Sequence, residues 1–294
     1  MRRLVMVGLV VSLALPAAAA TKFSEPQVAE LVAVAEAEKA PEAQRAKAIR
    51  QLENTDVRTH LSVLRRLLRQ ERSLDIRLSA ACTLAALGDQ KSPRDLLLAT
   101  AYDGERTPNC SRSDVLLALG RLGDPAAELH LERALKATAP EDEPYYYADA
   151  CRALVALNTP GARKLLLTSL RDGTTPVRHA VITPLGNLAL DRGAAEQPAA
   201  REALLNAARF DPDEKVAEQA GSALFWMGAD TPGFLSLLEH DPDPAVRARA
   251  ARVMNRHYLS ASRVQRLRAA LKHETNATVR AAMEKTLASQ PAKD

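Results

Sequence analysis

The chain has 294 residues, of which 47% are hydrophobic and 26% are charged, with 40 Lys and Arg against 36 Asp and Glu. This balance excludes a disordered chain and a chain embedded in a membrane along its whole length. Aromatic residues make up only 3% and there are only 12 glycines, whereas sheets and their tight turns draw on both. Because the apolar residues are mostly Ala and Leu, which favour helices, the composition predicts an all-α protein.

The first 20 residues differ from the rest of the chain. Two arginines precede an apolar run, 4–15, which is too short to span a bilayer, since spanning takes about 20 apolar residues. A proline ends the run, and the alanines at 18–20 give the small-residue pattern that signal peptidase accepts. No Cys follows them, which excludes a lipoprotein. The sequence therefore predicts a signal peptide, 1–20, and a periplasmic or secreted mature chain beginning at Thr21; the alternative is an uncleaved N-terminal anchor.

Removal of this segment changes the charge of the chain. The two arginines leave with it, so the mature protein has 38 basic and 36 acidic residues. This near-neutral balance argues against a nucleic-acid partner, because such proteins carry a basic surface. No later stretch is apolar and long enough to predict an integral membrane segment.

Three cysteines, Cys82, Cys110 and Cys151, remain in the mature chain. An oxidising compartment permits one disulfide and leaves one thiol over. The alternative is that all three are reduced, as small buried or loop residues. The sequence leaves both open.

An internal repeat is the strongest signal for the fold. An apolar residue, often followed by Arg, is followed by further apolar or small residues at +4, +8 and +11, which lie on one helical face. The copies start 30 to 39 residues apart, with a mean close to 34, which is typical of stacked helical hairpins. They begin near Ala43, Ile76, Ser111, Tyr146, Val177, Val216, Val246 and Val279.

A second helical segment precedes each of these copies. Asp-Pro and Gly turns such as 211–213 separate the segments, because Pro and Asp end one helix and cap the next. The longest interval, from Val177 to Val216, predicts an extended loop or an added helical turn near 191–198. Examples of the preceding segments are 61–68, 94–102, 128–135, 162–170, 200–208, 232–238 and 264–271.

The motif Asp-Pro-x-Pro-x-Val-Arg-x-x-Ala at 241–250, with Leu-Gly-Asp at helix ends, resembles the HEAT-repeat family, including the shorter HEAT-like units of bacterial proteins. The resemblance covers about 26–287. It implies a right-handed α-solenoid of about eight hairpins over residues 21–289, followed by a disordered tail, 290–294.

The same resemblance implies that a turn aspartate and a helix arginine join neighbouring repeats. The residues in those positions are Asp172, Arg178, Asp243 and Arg247. The copy that begins Val216-Ala217 lacks the arginine, so we expect a different contact at that junction.

In HEAT-like solenoids the second helix of each hairpin lines the concave side. Its solvent-facing residues should lie chiefly at +2, +6 and +10, away from the apolar face. These positions predict a partner-binding surface, and Trp226 is its most informative member because exposed tryptophans dominate binding hot spots. The alternative is that Trp226 fills a gap in the core. The full set is Arg121, Arg152, His179, Thr183, Asn187, Glu218, Ser222, Trp226, Arg252 and Arg256.

A run of three tyrosines, 145–147, gives a second expectation. Successive helical residues point about 100° apart, so at least one of the three should face solvent.

No catalytic, metal or cofactor motif is apparent. None of the six histidines pairs at ligand spacing with another His or a Cys, and no Cys-x-x-Cys, Gly-x-Ser-x-Gly or glycine-rich phosphate loop occurs. Acidic clusters such as 211–213 flank helix starts, where carboxylates favour the helix dipole. We therefore expect no enzymatic activity and no cofactor.

The sequence favours an exported scaffold that binds a protein or peptide through its concave face. One alternative is a structural subunit of a cell-envelope assembly. Another is an enzyme similar to the bilin lyases, which also contain HEAT-like repeats, although an exported chain is in the wrong compartment for that reaction.

Overall fold

The computed structural model describes residues 23–55, 60–103, 107–139, 141, 143, 145–191, 193–227, 232–257 and 259–290. Within these ranges it contains sixteen α-helices, a 3₁₀ turn at Leu52–Asn54 and one isolated β-bridge, and no other strand pairing. The all-α prediction is therefore confirmed. The predicted signal peptide, 1–20, and residues 291–294 of the predicted tail lie outside the described residues.

The helices alternate as the first and second members of hairpins. The first helices are α1 (Glu25–Glu36), α3 (Leu61–Gln70), α5 (Arg94–Asp103), α7 (Ala127–Lys136), α9 (Pro160–Asp172), α11 (Gln197–Phe210), α13 (Pro232–Glu239) and α15 (Ala261–His273). The second helices are α2 (Glu42–Gln51), α4 (Leu74–Ala86), α6 (Arg112–Leu122), α8 (Tyr146–Leu157), α10 (Thr175–Leu190), α12 (Glu214–Trp226), α14 (Pro244–Asn255) and α16 (Ala277–Ala288). In the described part of the chain there are thus eight hairpins, at the spacing that the repeat predicts.

The chain divides into two compact units, and the boundary falls after Leu165, within α9. In the first unit α2, α4, α6 and α8 pack side by side, and α1, α3, α5 and α7 each contact the second helix of their own hairpin. In the second unit α10, α12, α14 and α16 form the row, with α11, α13 and α15 against their own partners. Each unit is a stack of hairpins with a HEAT-like solenoid fold.

Repeat positions 0, +4 and +8 form the core of each stack. In α12 they are Val216, Ala220 and Leu224, none of them more than 1% exposed. Helix α12 also buries Ala217 and Phe225, because α10, α11, α13 and α14 cover it on several sides. The starting residues of other copies are buried in the same way: Ile76, Val177, Val246 and Val279.

The tight packing of second helices is clearest between α6 and α8. A Cβ atom added to Gly120 would lie 2.4 Å from the carbonyl oxygen of Ala153, so the two atoms would overlap. Only glycine allows the two backbones to approach this far.

Turns between the two helices of a hairpin use their first and third residues differently. In the turn 211–213, Asp213 caps α12 by accepting hydrogen bonds from the backbone of Lys215 and Val216 at 3.0 and 3.1 Å. Asp211 accepts from Arg178 of the preceding hairpin, Nε at 2.7 Å and Nη2 at 2.9 Å. One turn therefore both starts a helix and joins two hairpins.

The next two junctions repeat this division. Arg247 donates to Glu274 from Nε at 2.7 Å and Nη2 at 3.0 Å, and its hydrogen bond lowers the pKa of that carboxyl. Asn276 then caps α16. Where the arginine after Val216 is missing, Arg209 from the end of α11 forms an ion pair of 2.6 Å with Asp241 instead. This is the different contact that the sequence led us to expect.

The structure corrects two of the four joining residues. Asp172 is exposed and pairs with its neighbour Arg171 at 2.6 Å, and Asp243 caps α14 by accepting from the Ala245 backbone at 2.8 Å. Arg178 and Arg247 do join hairpins, but to the first acidic residue of the following turn. For Asp243 the cause is geometric, since the third turn residue already faces the free N–H groups of its own helix. Asp172 is the last residue of α9, where its side chain is open to solvent.

Two further regions refine the sequence predictions. Helix α10 has 16 residues, whereas α12 has 13, so the long repeat interval adds a helical turn in α10 before a short loop.

The predicted tail, 290–294, begins one residue too early. The Gln290 side chain accepts a hydrogen bond from the Leu259 backbone at 2.9 Å and donates one to the His257 carbonyl at 3.3 Å.

Among the described residues, no helix combines the length and the apolar character that crossing a membrane requires.

We predict that Arg178→Ala lowers the free energy of unfolding by about 2–3 kcal/mol, because it leaves the buried carboxylate of Asp211 without its ion-pair partner. The control is Arg171→Ala, which removes an ion pair to Asp172 that is open to solvent on both sides and should leave stability unchanged. Urea titrations followed by circular dichroism compare them, and equal stabilities of the two variants would contradict the joining role.

Candidate functional site

The ten residues predicted for the binding surface all lie on second helices or at their C-terminal caps, and none is buried. The +2 position is less uniform than predicted, because Leu78 of α4 and Ala248 of α14 are buried there. The first unit holds Arg121 on α6 and Arg152 on α8; the second holds His179, Thr183 and Asn187 on α10, Glu218, Ser222 and Trp226 on α12, and Arg252 and Arg256 on or beside α14.

In the first unit both predicted residues are paired with acids. Arg121 Nη1 lies 3.1 Å from Glu53 Oε1, and Arg152 pairs with Asp149 on its own helix. The Arg121–Glu53 pair is exposed on both sides, so it contributes little to stability. In the second pair Asp149 is buried but the Arg152 guanidinium is exposed, so both arginines reach solvent.

On α10 the three predicted residues follow one another at intervals of four and lie on one face. His179 and Thr183 are exposed, and Asn187 is half-buried. They form a polar stripe along this helix.

An ion-pair network joins α12 to α14. Arg252 Nη2 lies 2.5 Å from Glu214 Oε1 and its Nε lies 3.4 Å from Glu218 Oε1, so it bridges both acids. Arg256 Nη2 lies 2.5 Å from Glu218 Oε2. Arg249 pairs with Glu214 at 2.7 Å, and its hydrogen bond is the main cause that lowers the pKa of this glutamate.

Ser222 has a different role from its neighbours. Its hydroxyl donates to the backbone carbonyl of Glu218, one turn earlier on α12, at 2.9 Å. The donor is therefore used within the helix, and only the oxygen lone pairs remain for a ligand.

Trp226 ends α12 and is 40% exposed. Its ring meets Phe225 edge-on at 5.7 Å between centroids and meets His257 in the same manner at 4.7 Å. Trp226 therefore lies outside the core, as its repeat position predicts. Its function as a binding residue stays a prediction.

A buried aromatic cluster supports this tryptophan. Phe225 is 1% exposed, packs on Phe234 at 5.4 Å and is stacked on His257 at 4.8 Å with an angle of 17°. The Arg263 guanidinium lies 3.9 Å from the Phe225 ring centroid, and its Nη2 donates to the Phe225 carbonyl at 3.0 Å. These contacts hold Phe225 and His257, the two rings against which the exposed indole of Trp226 packs.

His257 is the titratable member of the cluster. Burial is the main cause that lowers its pKa below 6.5, and the positive charges of Arg256 and Arg263 lower it further. Its Nε2 is buried without a hydrogen-bond partner among the described residues. The ring is therefore neutral at pH 7.

Sequence reasoning missed Glu214, Arg249 and His257 at this site. Glu214 and Glu218 lie one helical turn apart, as do Arg252 and Arg256, and this matched spacing of opposite charges was a usable signal. His257 falls at position +11 of the copy that begins at Val246, but it is polar and follows the end of α14, so the repeat did not mark it as a site residue.

Elsewhere in the second unit, a cleft of about 540 Å³ is lined by the C-terminal half of α9 and by α11, with Phe210 among its lining residues. Phe210 is 67% exposed, and the Arg209 guanidinium lies 4.7 Å from its ring centroid. This cleft is built mainly from first helices, so it offers a surface distinct from the one around Trp226.

The tyrosine run behaves as expected. Tyr145 is 70% exposed, Tyr146 is buried, and the hydroxyl of Tyr147 donates to the Ala137 carbonyl at 2.8 Å.

Within the part of the chain that the structure describes, no group of three His, Cys, Asp or Glu side chains is placed to hold a metal.

Comparison with known proteins finds similarity to solved structures only. No family model and no curated protein matches the chain. Similar structures include the complex of CpcE and CpcF of phycocyanin lyase from Nostoc sp. PCC7120, with 20% identity, a TM-score of 0.39, and coverage of 78% of this chain and 94% of that one.

Two others are an engineered protein, with 18% identity, a TM-score of 0.40 and coverage of 90% and 78%, and human deoxyhypusine hydroxylase in complex with glycerol, with 16% identity, a TM-score of 0.30 and coverage of 90% and 96%. At these identities the likeness concerns the fold alone, and at these TM-scores it supports no argument about function.

We predict that Trp226→Ala lowers the free energy of unfolding by about 1 kcal/mol or less, because the residue lies at the surface and is 40% exposed. Phe225→Ala is the matched variant and should cost about 3–5 kcal/mol, since it empties a buried site. Thermal and urea unfolding measure both. A loss from Trp226→Ala as large as that from Phe225→Ala would place the indole in the core.

The chain has one tryptophan, so its fluorescence reports the contact with His257. Protonation of the imidazole places a positive charge beside the indole and should change the emission with a midpoint below pH 6.5, as the lowered pKa requires. The control His257→Gln should abolish the transition. A midpoint at or above 6.5 would contradict this environment.

Proposed function

We propose that this chain is an exported HEAT-repeat protein that binds a protein or peptide partner through its second helices, with Trp226 as the main contact. The observation that carries the proposal is the exposure of the only tryptophan, 40%, at the end of a helix whose adjacent phenylalanine is buried. Tryptophan contributes a large apolar area with few rotatable bonds, and it is among the residues that dominate binding energy at protein interfaces.

The surroundings of Trp226 suit a binding role. Its edge-on contacts with Phe225 and His257 restrict the ring before any partner arrives, which lowers the entropic cost of binding. Arg252 on α14 and Arg256 at its C-terminal cap remain about half exposed although they are paired, and Arg256 immediately precedes His257, which contacts Trp226. A partner carboxylate can share these guanidinium groups, and arginine is enriched at interfaces for this reason.

We propose binding rather than catalysis because the charged groups around Trp226 pair with each other in a stabilising network. None of them is a nucleophile held beside a general base, which covalent catalysis requires. No cofactor is part of the proposal.

Export is the second part of the proposal and is supported by the predicted signal peptide, 1–20, with its short basic start, apolar run and terminal alanines. N-terminal sequencing of the protein recovered from cells tests it. Thr21 as the first residue supports export, and Met1 in a cytoplasmic fraction overturns it.

The binding surface is tested by affinity capture from a cell-envelope extract with three immobilised proteins: the wild type, Trp226→Ala and Phe210→Ala. Phe210 is the matched control, because it is an exposed aromatic of the same unit at the end of a first helix. We expect at least one protein to be retained by the wild type and by Phe210→Ala, and its recovery to fall about tenfold or more with Trp226→Ala.

The same experiment separates the alternatives. An assembly retained equally by all three proteins would overturn the Trp226 surface and favour a structural subunit of the envelope. A partner lost only with Phe210→Ala would place binding at the cleft lined by α9 and α11.

A further inference from the structure

Two of the three cysteines come together in the first unit. Cys82 lies on α4 and Cys110 lies 28 residues later, just before the cap of α6, yet their sulfur atoms are 3.6 Å apart. Cys110 is 3% exposed and Cys82 is half-buried. Both are reduced thiols in this structure.

The turn that carries Cys110 is held on α4 by several bonds. The buried carboxylate of Asp75 accepts from the Thr107 hydroxyl, from the Asn109 side-chain amide and, at 3.2 Å, from the Asn109 backbone. Arg50 of α2 donates to the Asn109 carbonyl. Thr107 and Cys110 exchange backbone hydrogen bonds at 3.1 and 3.3 Å, which closes the turn.

These bonds act together to fix the position of Cys110. The turn is tied to α4 near its N-terminus through Asp75, and Cys82 lies two helical turns further along the same helix. The Cys82 sulfur also lies 3.8 Å from the Asp114 carbonyl of α6. The encounter of the two thiols is therefore a consequence of the packing of α4 against the third hairpin.

We propose that Cys82 and Cys110 are a disulfide site that is oxidised in the folded chain by thiol–disulfide exchange. A disulfide needs a sulfur separation of about 2.05 Å, so the two side chains must approach by about 1.5 Å. Rotation about their Cα–Cβ bonds is the movement that the proposal requires. The oxidant is a disulfide of low molecular weight or of an oxidoreductase, as found in compartments that form disulfides.

The exchange proceeds in two steps. The Cys82 sulfur loses its proton and attacks the oxidant disulfide, which gives a mixed disulfide and releases one oxidant thiol. The Cys110 sulfur then loses its proton and attacks the Cys82 sulfur, which forms the intrachain bond and releases the second oxidant thiol. Two protein thiols are oxidised and one oxidant disulfide is reduced to two thiols.

Reactivity separates this pair from the third cysteine. The contact with Cys110 is the main cause that raises the pKa of Cys82, with burial second, so uncatalysed exchange is slow at neutral pH. Cys151 is fully buried, and burial raises its pKa to about 12. It stays reduced and provides an internal standard for the measurement.

The inference does not depend on the proposed binding function, and the purified full chain tests it. The reduced protein is incubated under native conditions with oxidised glutathione and a catalytic amount of protein disulfide isomerase. It is then denatured, and its free thiols are alkylated with iodoacetamide. We expect the protein to lose two hydrogens and Cys151 alone to be alkylated. We also expect a disulfide link between tryptic peptides 78–91 and 107–112.

Variants and stability complete the test. Cys151→Ser should oxidise as the wild type does, whereas Cys82→Ser and Cys110→Ser should form no intrachain link. Oxidation should raise the melting temperature of the wild type by about 5–10 °C, because it restricts the unfolded chain. Three alkylated cysteines after oxidation, a link that includes Cys151, or a lower melting temperature of the oxidised form would each overturn the proposal.

Discussion

The second helices of this chain are apolar on more than one side, and this constraint governs the rest of the structure. Helix α12 buries Val216 and Ala220 and also Ala217 and Phe225, so its own hairpin partner cannot cover all of its apolar surface. Helices of the neighbouring hairpins cover the remainder: the second helices α10 and α14, and α13, whose Phe234 packs on Phe225. A single hairpin is therefore unstable alone, and the stack is the smallest unit that buries its apolar residues. The surface left over is the polar strip of each second helix.

The polar contacts set how far one hairpin is shifted along the next. The arginine–carboxylate contacts, Arg178 to Asp211 and Arg247 to Glu274, fix neighbouring hairpins at their turns. With the turns fixed, the acids of α12 stand opposite the arginines of α14, and Trp226 comes against His257. The candidate binding surface thus follows from the stacking.

The repeat made the fold predictable. All eight second helices and seven of their partners lie where the periodicity places them, because burial at 0, +4 and +8 leaves its pattern in the sequence. Asp243 was misassigned as a joining carboxylate, since sequence cannot tell which of the two turn acids, Asp241 or Asp243, caps its own helix. The contact of Phe225 with His257 beneath Trp226 and the contact of Cys82 with Cys110 also escaped prediction, because they join residues 32 and 28 positions apart in the chain.

The most direct test of close packing between second helices is the stability of Gly120→Ala measured against Gly186→Ala. Alanine favours helices over glycine by about 1 kcal/mol, so both changes would stabilise an isolated helix. A Cβ at Gly120 overlaps the Ala153 backbone, whereas one at Gly186 lies 3.7 Å from the Ala223 methyl. We predict a loss of about 3 kcal/mol for Gly120→Ala and no loss for Gly186→Ala in urea unfolding. A Gly120→Ala protein as stable as the wild type would contradict this account.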